Sequence, residues 1–156
     1  MGIEIERKFL VKGDGWRKHV TTQQALRQGY LSGTGAVTVR VRTIDDARSY
    51  ITIKGGGSAL ARSEFEYEIP ILDARALLRM ASGTVLAKRR NLLDLSPGDW
   101  IVDEFEGRHK GLVMAEIELE RPDTALDLPP WIGIEVTSDP QFYNYSLATQ
   151  PGSGEI

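Results

Sequence analysis

Along much of this chain charged side chains occupy alternate positions, with apolar residues between them. Glu4-Ile5-Glu6-Arg7-Lys8 puts Glu4, Glu6 and Lys8 on one side and Ile5 and Arg7 on the other, because successive side chains of a strand point to opposite faces. Phe9-Leu10-Val11 extends the stretch with residues that favour strands. Two carboxylates about 7 Å apart on one face repel by roughly 2 kcal/mol at an effective dielectric near 20. Enclosed in a fold, such a pair calls for cations.

The pattern recurs. Residues 36–42 alternate strictly, with Thr38, Arg40 and Arg42 opposite Val37, Val39 and Val41. Residues 50–54 set Thr52 and Lys54 against Ile51 and Ile53, and the strand resuming at Arg62 sets Glu64 and Glu66 against Phe65 and Tyr67. Residues 84–93 present Lys88 and Arg90 together, with Arg89 opposite; residues 114–121 present Glu116, Glu118 and Glu120 opposite Ala115, Ile117 and Leu119. Residues 23–31 read as a strand carrying Arg27 and Tyr30, and residues 100–106 as one in which Asp103 shares its side with Ile101 and Phe105. A short strand is expected over residues 133–137.

Turns separate these stretches at Gly13-Asp14-Gly15, residues 32–35, Asp45-Asp46, Gly55-Gly56-Gly57-Ser58 and residues 96–99. The glycine run lacks the spacing and Lys-Ser/Thr ending of a phosphate loop and reads as a hairpin connection. Residues 16–20 suit a helical turn. Asp73 is expected to cap a helix to Ala81 whose Leu77, Leu78 and Met80 pack on the sheet, and Asp139-Pro140 to start a short helix with Phe142, Tyr143 and Tyr145.

With 156 residues the chain reads as one domain over residues 1–150 and a disordered tail over 151–156. A net charge of -3 gives no bulk attraction to nucleic acid or acidic membrane, so any anion site must concentrate Lys and Arg locally. No cysteine is present, which excludes disulfides and thiolate chemistry and fits the cytoplasm. No export signal or membrane span is expected. His19 and His109 fall outside the alternating pattern and read as surface or loop residues, so imidazole-bound zinc is not expected.

The charges are sorted by strand, whereas a solvated sheet face mixes them because close like charges are unfavourable. The charged face therefore reads as the inside of a closed or nearly closed sheet, and its apolar outside needs cover from the helices. Clustered carboxylates hold hard divalent cations, and Lys and Arg neutralise phosphate oxygens. Both sets in one cavity specify a polyanion bridged to metal.

This ordered set resembles the CYTH superfamily, the triphosphate tunnel metalloenzymes, whose Glu-x-Glu-x-Lys signature matches Glu4, Glu6 and Lys8. The resemblance continues in order through Arg40/Arg42, Lys54, Glu64/Glu66, Lys88/Arg90, Asp103 and Glu116/Glu118. It implies a mainly antiparallel β fold with a few helices, an α+β chain forming a closed eight-stranded β tunnel with a charged interior. It also implies a triphosphate substrate and Mg²⁺ or Mn²⁺. Lys8, Arg40, Arg42, Lys54, Lys88 and Arg90 are then the phosphate-holding set, and Glu4, Glu6, Glu64, Glu66, Asp103, Glu116 and Glu118 the metal-holding set. Tyr30 matches a tyrosine that pairs with the signature lysine in some triphosphatases; packing at the tunnel mouth is its other reading. The compact length most resembles small bacterial members that hydrolyse inorganic triphosphate. Class IV adenylyl cyclase, thiamine triphosphatase and a polyphosphate-binding module without turnover are the alternatives, and a homodimer is among the assemblies implied.

Overall fold

The computed structural model describes residues 2–33, 36–96 and 99–149. Its strands are β1 (Gly2–Val11), β2 (Val20–Gly33), β3 (Val37–Ile44), β4 (Arg48–Gly55), β5 (Ala61–Ile69), β6 (Ser82–Leu93), β7 (Asp99–Phe105), β8 (Val113–Glu118) and β9 (Ile132–Glu135). Eight of them close into an antiparallel barrel in the order β1-β5-β4-β3-β2-β6-β7-β8 and back to β1. Closure leaves no free edge, so every strand of the ring has two partners. β9 pairs with Phe9 and Val11 of β1, beyond the residues 2–5 that pair with β5. The tight turn at Asp45-Asp46 has both residues at positive φ (53° and 52°), and Ala47 N–H donates to the Ile44 carbonyl at 3.0 Å. That turn matches the twist of the strands it joins.

Alternation decides what each face buries. Phe9, Trp100, Val102, Ala115 and Ile117 point outward and pack with Trp16, Trp131 and Ile132. Trp16 comes from the 3₁₀ turn Gly15–His19, in the place expected for a helical turn. The cover on this side is thus mainly two tryptophans on a 3₁₀ turn and a loop. Helix α1 (Ile71–Leu78) covers a second patch, with Ala74 and Leu78 against Val41. Gly29 permits that approach, since a Cβ there would lie 2.8 Å from Ala81 Cβ and 3.2 Å from Leu78 Cδ2.

Several local expectations are corrected. α1 begins at Ile71 with Pro70 as its cap residue, so Asp73 sits in the first turn and its side chain caps nothing. Its charge still favours the helix N-terminus. The helix ends at Leu78, and Met80, off the helical stripe, is 70% exposed. His109 is buried: the 3₁₀ turn Gly107–His109 tucks its ring against Phe105, and Nε2 donates to the Leu147 carbonyl at 2.7 Å. Asp139 does accept from Gln141 N–H, but it starts only the 3₁₀ turn Pro140–Phe142, and α2 (Asn144–Thr149) follows separately.

The larger correction concerns where α2 lies. It does not cover the outer face. Leu147 and Ala148 pack on Tyr30, Leu86, Phe105 and Met114, which share the strand phase of the inward Arg40, Lys88, Asp103 and Glu116. α2 thus plugs one end of the barrel from within. Among the described residues no helix is long and apolar enough to cross a membrane. The turn residues Thr34, Gly35, Pro97 and Gly98 and the tail 151–156 lie outside the described residues.

Candidate active site

The barrel encloses a cavity of about 880 Å³. Twelve of the fourteen residues singled out from the sequence line it: Glu4, Glu6, Lys8, Tyr30, Arg40, Arg42, Lys54, Glu64, Glu66, Arg90, Glu116 and Glu118. Lys88 and Asp103 do not. Both are buried behind the lining, with their side chains 0% and 2% exposed. The same strand phase places all fourteen inward, but α2 and Phe105 close over the deeper pair.

That deeper layer supports the cavity wall. Arg90 grips Asp103 through two parallel bonds, Nε to Oδ1 at 2.9 Å and Nη2 to Oδ2 at 2.8 Å. Lys88 Nζ lies 2.8 Å from the same Oδ2 and donates to Asn144 Oδ1 at 3.0 Å. Burial opposes the Asp103 charge, but Arg90 and Lys88 outweigh it and hold the carboxyl well below the usual range. Burial pushes the Lys88 ammonium down to about 7, against the pull of Asp103. With both Asp103 oxygens engaged, its place in the structure is that of an anchor for Arg90.

Carboxylates dominate another part of the wall. Glu6 stands directly opposite Glu118 across β1 and β8, and Glu118 opposite Asp99 across β7 and β8. Like charges in such cross-strand pairs repel. Lys54 Nζ donates to Glu4 at 2.7 Å and lies 3.6 Å from Glu64. Burial raises Glu4 and Glu6 above the ordinary carboxyl range despite nearby lysines, with Glu64 and Glu116 adding to the push. Burial, then Glu4 and Glu6, does the same to Glu118. For these three the nearby lysines are outweighed by burial and by neighbouring carboxylates. Glu116 differs: Lys8 and Arg90, each 3.7 Å away, overcome its burial and hold it low.

Cations face them. Lys8 is held charged by Glu116 and Glu6 although burial opposes it, and it sits over the Tyr143 ring at 5.9 Å. Arg42 Nε donates to Gln28 Oε1 at 3.0 Å; burial first, then Arg40 and Arg90, pushes its guanidinium down. Arg40 donates to Thr52 at 3.2 Å, and Thr52 in turn donates to Glu66 at 2.7 Å. Arg40 Nε is buried with no acceptor. An unsatisfied buried donor is costly, so the Arg40 guanidinium is held in the wall at an energetic cost.

Residues 2–148 match the CYTH domain family. The chain belongs to the CYTH family. It is 41% identical to an inorganic triphosphatase of Acetivibrio thermocellus over 97% of this chain and 96% of that protein. It is 35% identical to an inorganic triphosphatase of Nitrosomonas europaea over 93% and 96% of the two chains. A crystal structure of an inorganic triphosphatase shares 32% identity and superposes with a TM-score of 0.68, covering 96% of this chain and 97% of that one. CYTH triphosphate tunnel metalloenzymes depend on a divalent metal.

Some lining residues of this CYTH chain escaped the sequence reading. Arg62 and Asp99 line the cavity. Arg62 shares strand parity with Glu64 and Glu66, so the alternation already held that signal. Asp99 shares parity with Asp103 but follows a Pro-Gly pair that reads as a turn. Thr137, just past β9, also reaches the cavity, as do Tyr143, Asn144 and Ser146; the last three carry no strand-phase signal, because they lie on α2 or directly before it.

Proposed function

We propose that this protein is a hydrolase that cleaves a linear triphosphate, inorganic triphosphate first among them, to pyrophosphate and phosphate with Mg²⁺ or Mn²⁺. The observation that carries this reading is the single cavity that gathers Arg40, Arg42, Arg90, Lys8 and Lys54 with Glu4, Glu6 and Glu118. Two relatives alike over nearly their whole length are inorganic triphosphatases. A chain without cysteine suits the cytoplasm, where we place it.

The acidic part of the wall fits a hard cation chemically. Glu4, Glu6 and Glu118 are carboxylates whose burial the nearby lysines do not fully offset, with Glu64 and Glu66 near. Among the described residues no three acidic or histidine side chains are already grouped to hold a metal. Mg²⁺ commonly takes only one or two carboxylates and completes its shell with substrate phosphates and water, so Glu4, Glu6 and Glu118 suffice as its holders. When bound, the metal supplies neutralisation of phosphate charge and a more acidic water.

The chain's own groups do the rest. Arg40, Arg42 and Arg90 receive phosphate oxygens through planar N–H pairs, and Lys8 and Lys54 add point charges. Asp103 fixes the Arg90 plane, and Glu116 draws Lys8 and Arg90 toward one another. Because Lys8 stays protonated, it acts as a cation and not as a base. Tyr30, 5% exposed and edge-on to Tyr145 at 5.3 Å, lines the same cavity as Lys8; we assign its hydroxyl to orienting Lys8. Fixed cations stabilise the charge that shifts onto the leaving pyrophosphate more than they stabilise the ground state.

The test is product analysis after incubation with inorganic triphosphate, thiamine triphosphate or ATP, each with Mg²⁺ and with Mn²⁺. Phosphate plus pyrophosphate from triphosphate, abolished by EDTA, is the expected result. Cyclic AMP from ATP without triphosphate hydrolysis would make the protein a cyclase. Binding without turnover would make it a polyphosphate-binding module.

A further inference from the structure

We propose that Asn144 is a phosphate-binding residue that presents its side-chain NH₂ to the substrate at the plugged end of the cavity. The inference rests on the triphosphatase reading above.

Asn144 Oδ1 receives two hydrogen bonds, from Lys88 Nζ at 3.0 Å and from Gln28 Nε2 at 3.2 Å. Which end of the Asn144 amide takes this place is settled by Gln28. Gln28 Oε1 accepts from Arg42 Nε at 3.0 Å, and an Arg Nε–H donates, so Gln28 turns its NH₂ toward Asn144 and the atom that receives it is Oδ1. The Arg42–Gln28 bond therefore sets the orientation of both amides, leaving Asn144 Nδ2 on the opposite side from Lys88.

That nitrogen opens onto the cavity. Asn144 is 9% exposed and lines the cavity wall. Both of its side-chain bonds are made by Oδ1, so Nδ2 donates to no protein group among the described residues. Nor is Nδ2 one of the fully buried polar atoms lacking a partner. What remains for it is whatever occupies the cavity beside Arg42. A neutral donor also suits the place: Arg40, Arg42 and Arg90 already repel one another there, and an amide adds two N–H groups for phosphate oxygens without another charge.

Replacing Asn144 separates donation from support. Asn144→Asp keeps acceptors for Lys88 and Gln28, removes the N–H donors and turns a carboxylate toward the substrate. Its KM for inorganic triphosphate should rise at least about tenfold, as for loss of a hydrogen bond to a charged group, with a melting temperature no lower than that of the wild type. Asn144→Ser keeps a hydroxyl for Lys88 but nothing that reaches the cavity, and it should show the same direction in KM. It decides the matter if the Asp variant does not melt cooperatively. Wild-type turnover with KM and kcat in both variants within about twofold of wild type overturns this inference alone. A wild-type protein that leaves triphosphate intact overturns the functional reading and this inference with it.

Discussion

Replacing Glu118 by Gln should make the metal-free protein more stable while weakening its response to metal. The pair Glu6–Glu118 stands opposed across β1 and β8, which puts the carboxylates about 6 Å apart if the side chains run parallel from Cβ atoms about 5 Å apart. Glu118 is exposed enough for water to screen it, so an effective dielectric near 80 applies and the repulsion is about 0.7 kcal/mol. Relieving it should raise the metal-free melting temperature by about 1–3 °C for a domain of this size. A divalent ion about 4 Å from the same carboxylate is attracted by about 2 kcal/mol at the same dielectric. Losing that attraction should raise the Mg²⁺ concentration for half-maximal rate about 30-fold. The two effects have opposite signs, so one variant tests both. Thermal melts in EDTA and in Mg²⁺, with rates against Mg²⁺, provide the measurements. A variant less stable than wild type in EDTA, with an unchanged Mg²⁺ curve, would refute the reasoning and make Glu118 a structural residue.

Arg90→Lys keeps the charge but loses the two-point grip on Asp103 at 2.9 and 2.8 Å. Its kcat/KM should fall at least about tenfold, while half-saturation by Mg²⁺ stays within about twofold; a shift in the metal curve alone would count against it. Because Glu4, Glu6 and Glu118 are raised in the fold, the folded state binds more protons than the unfolded chain above the unfolded value of about 4.3. Their contribution to stability therefore falls as pH rises through the folded values and stays reduced above them. Mg²⁺ should offset this, giving a larger rise in melting temperature near pH 8 than near pH 5, and equal rises would remove the proposed metal holders. Asp103 and Glu116, held low, act the other way: their stabilisation is present above their unfolded values and is lost only as strong acid protonates them. Gly29→Ala should lower stability by about 1–3 kcal/mol through the clash with Ala81 while leaving the Mg²⁺ curve unchanged, as chemical denaturation and rate measurements will show.

Alternation made the strands and their faces legible before any coordinates. Glu4, Glu6, Lys8, Arg40, Arg42, Lys54, Glu64, Glu66, Arg90, Glu116 and Glu118 all reach one cavity, because a period of two is local and survives any arrangement of strands. Sorting of charge by strand carried the enclosure, since only an interior filled by counter-charges tolerates it. The resemblance through the same residues led to the family that the whole-chain comparisons show.

Depth was not legible. Strand phase places Lys88 with Arg90 and Asp103 with Ile101, yet only the packed barrel sets Lys88 and Asp103 behind the wall. What separates them from the cavity is α2, more than forty residues further along the chain, seated on Phe105 and Leu86. The periodicity of residues 142–149 shows an apolar helix but not which apolar surface receives it. His109 went the same way: a histidine in a short turn looks exposed until Leu147 supplies a carbonyl and Phe105 a ring. The sequence by itself determined the strands, their inward charges and hence the chemistry of the cavity. The tertiary structure decided which end is closed, which charged groups face substrate and which sit behind them, because those outcomes depend on contacts between segments distant in sequence, to which no local pattern corresponds.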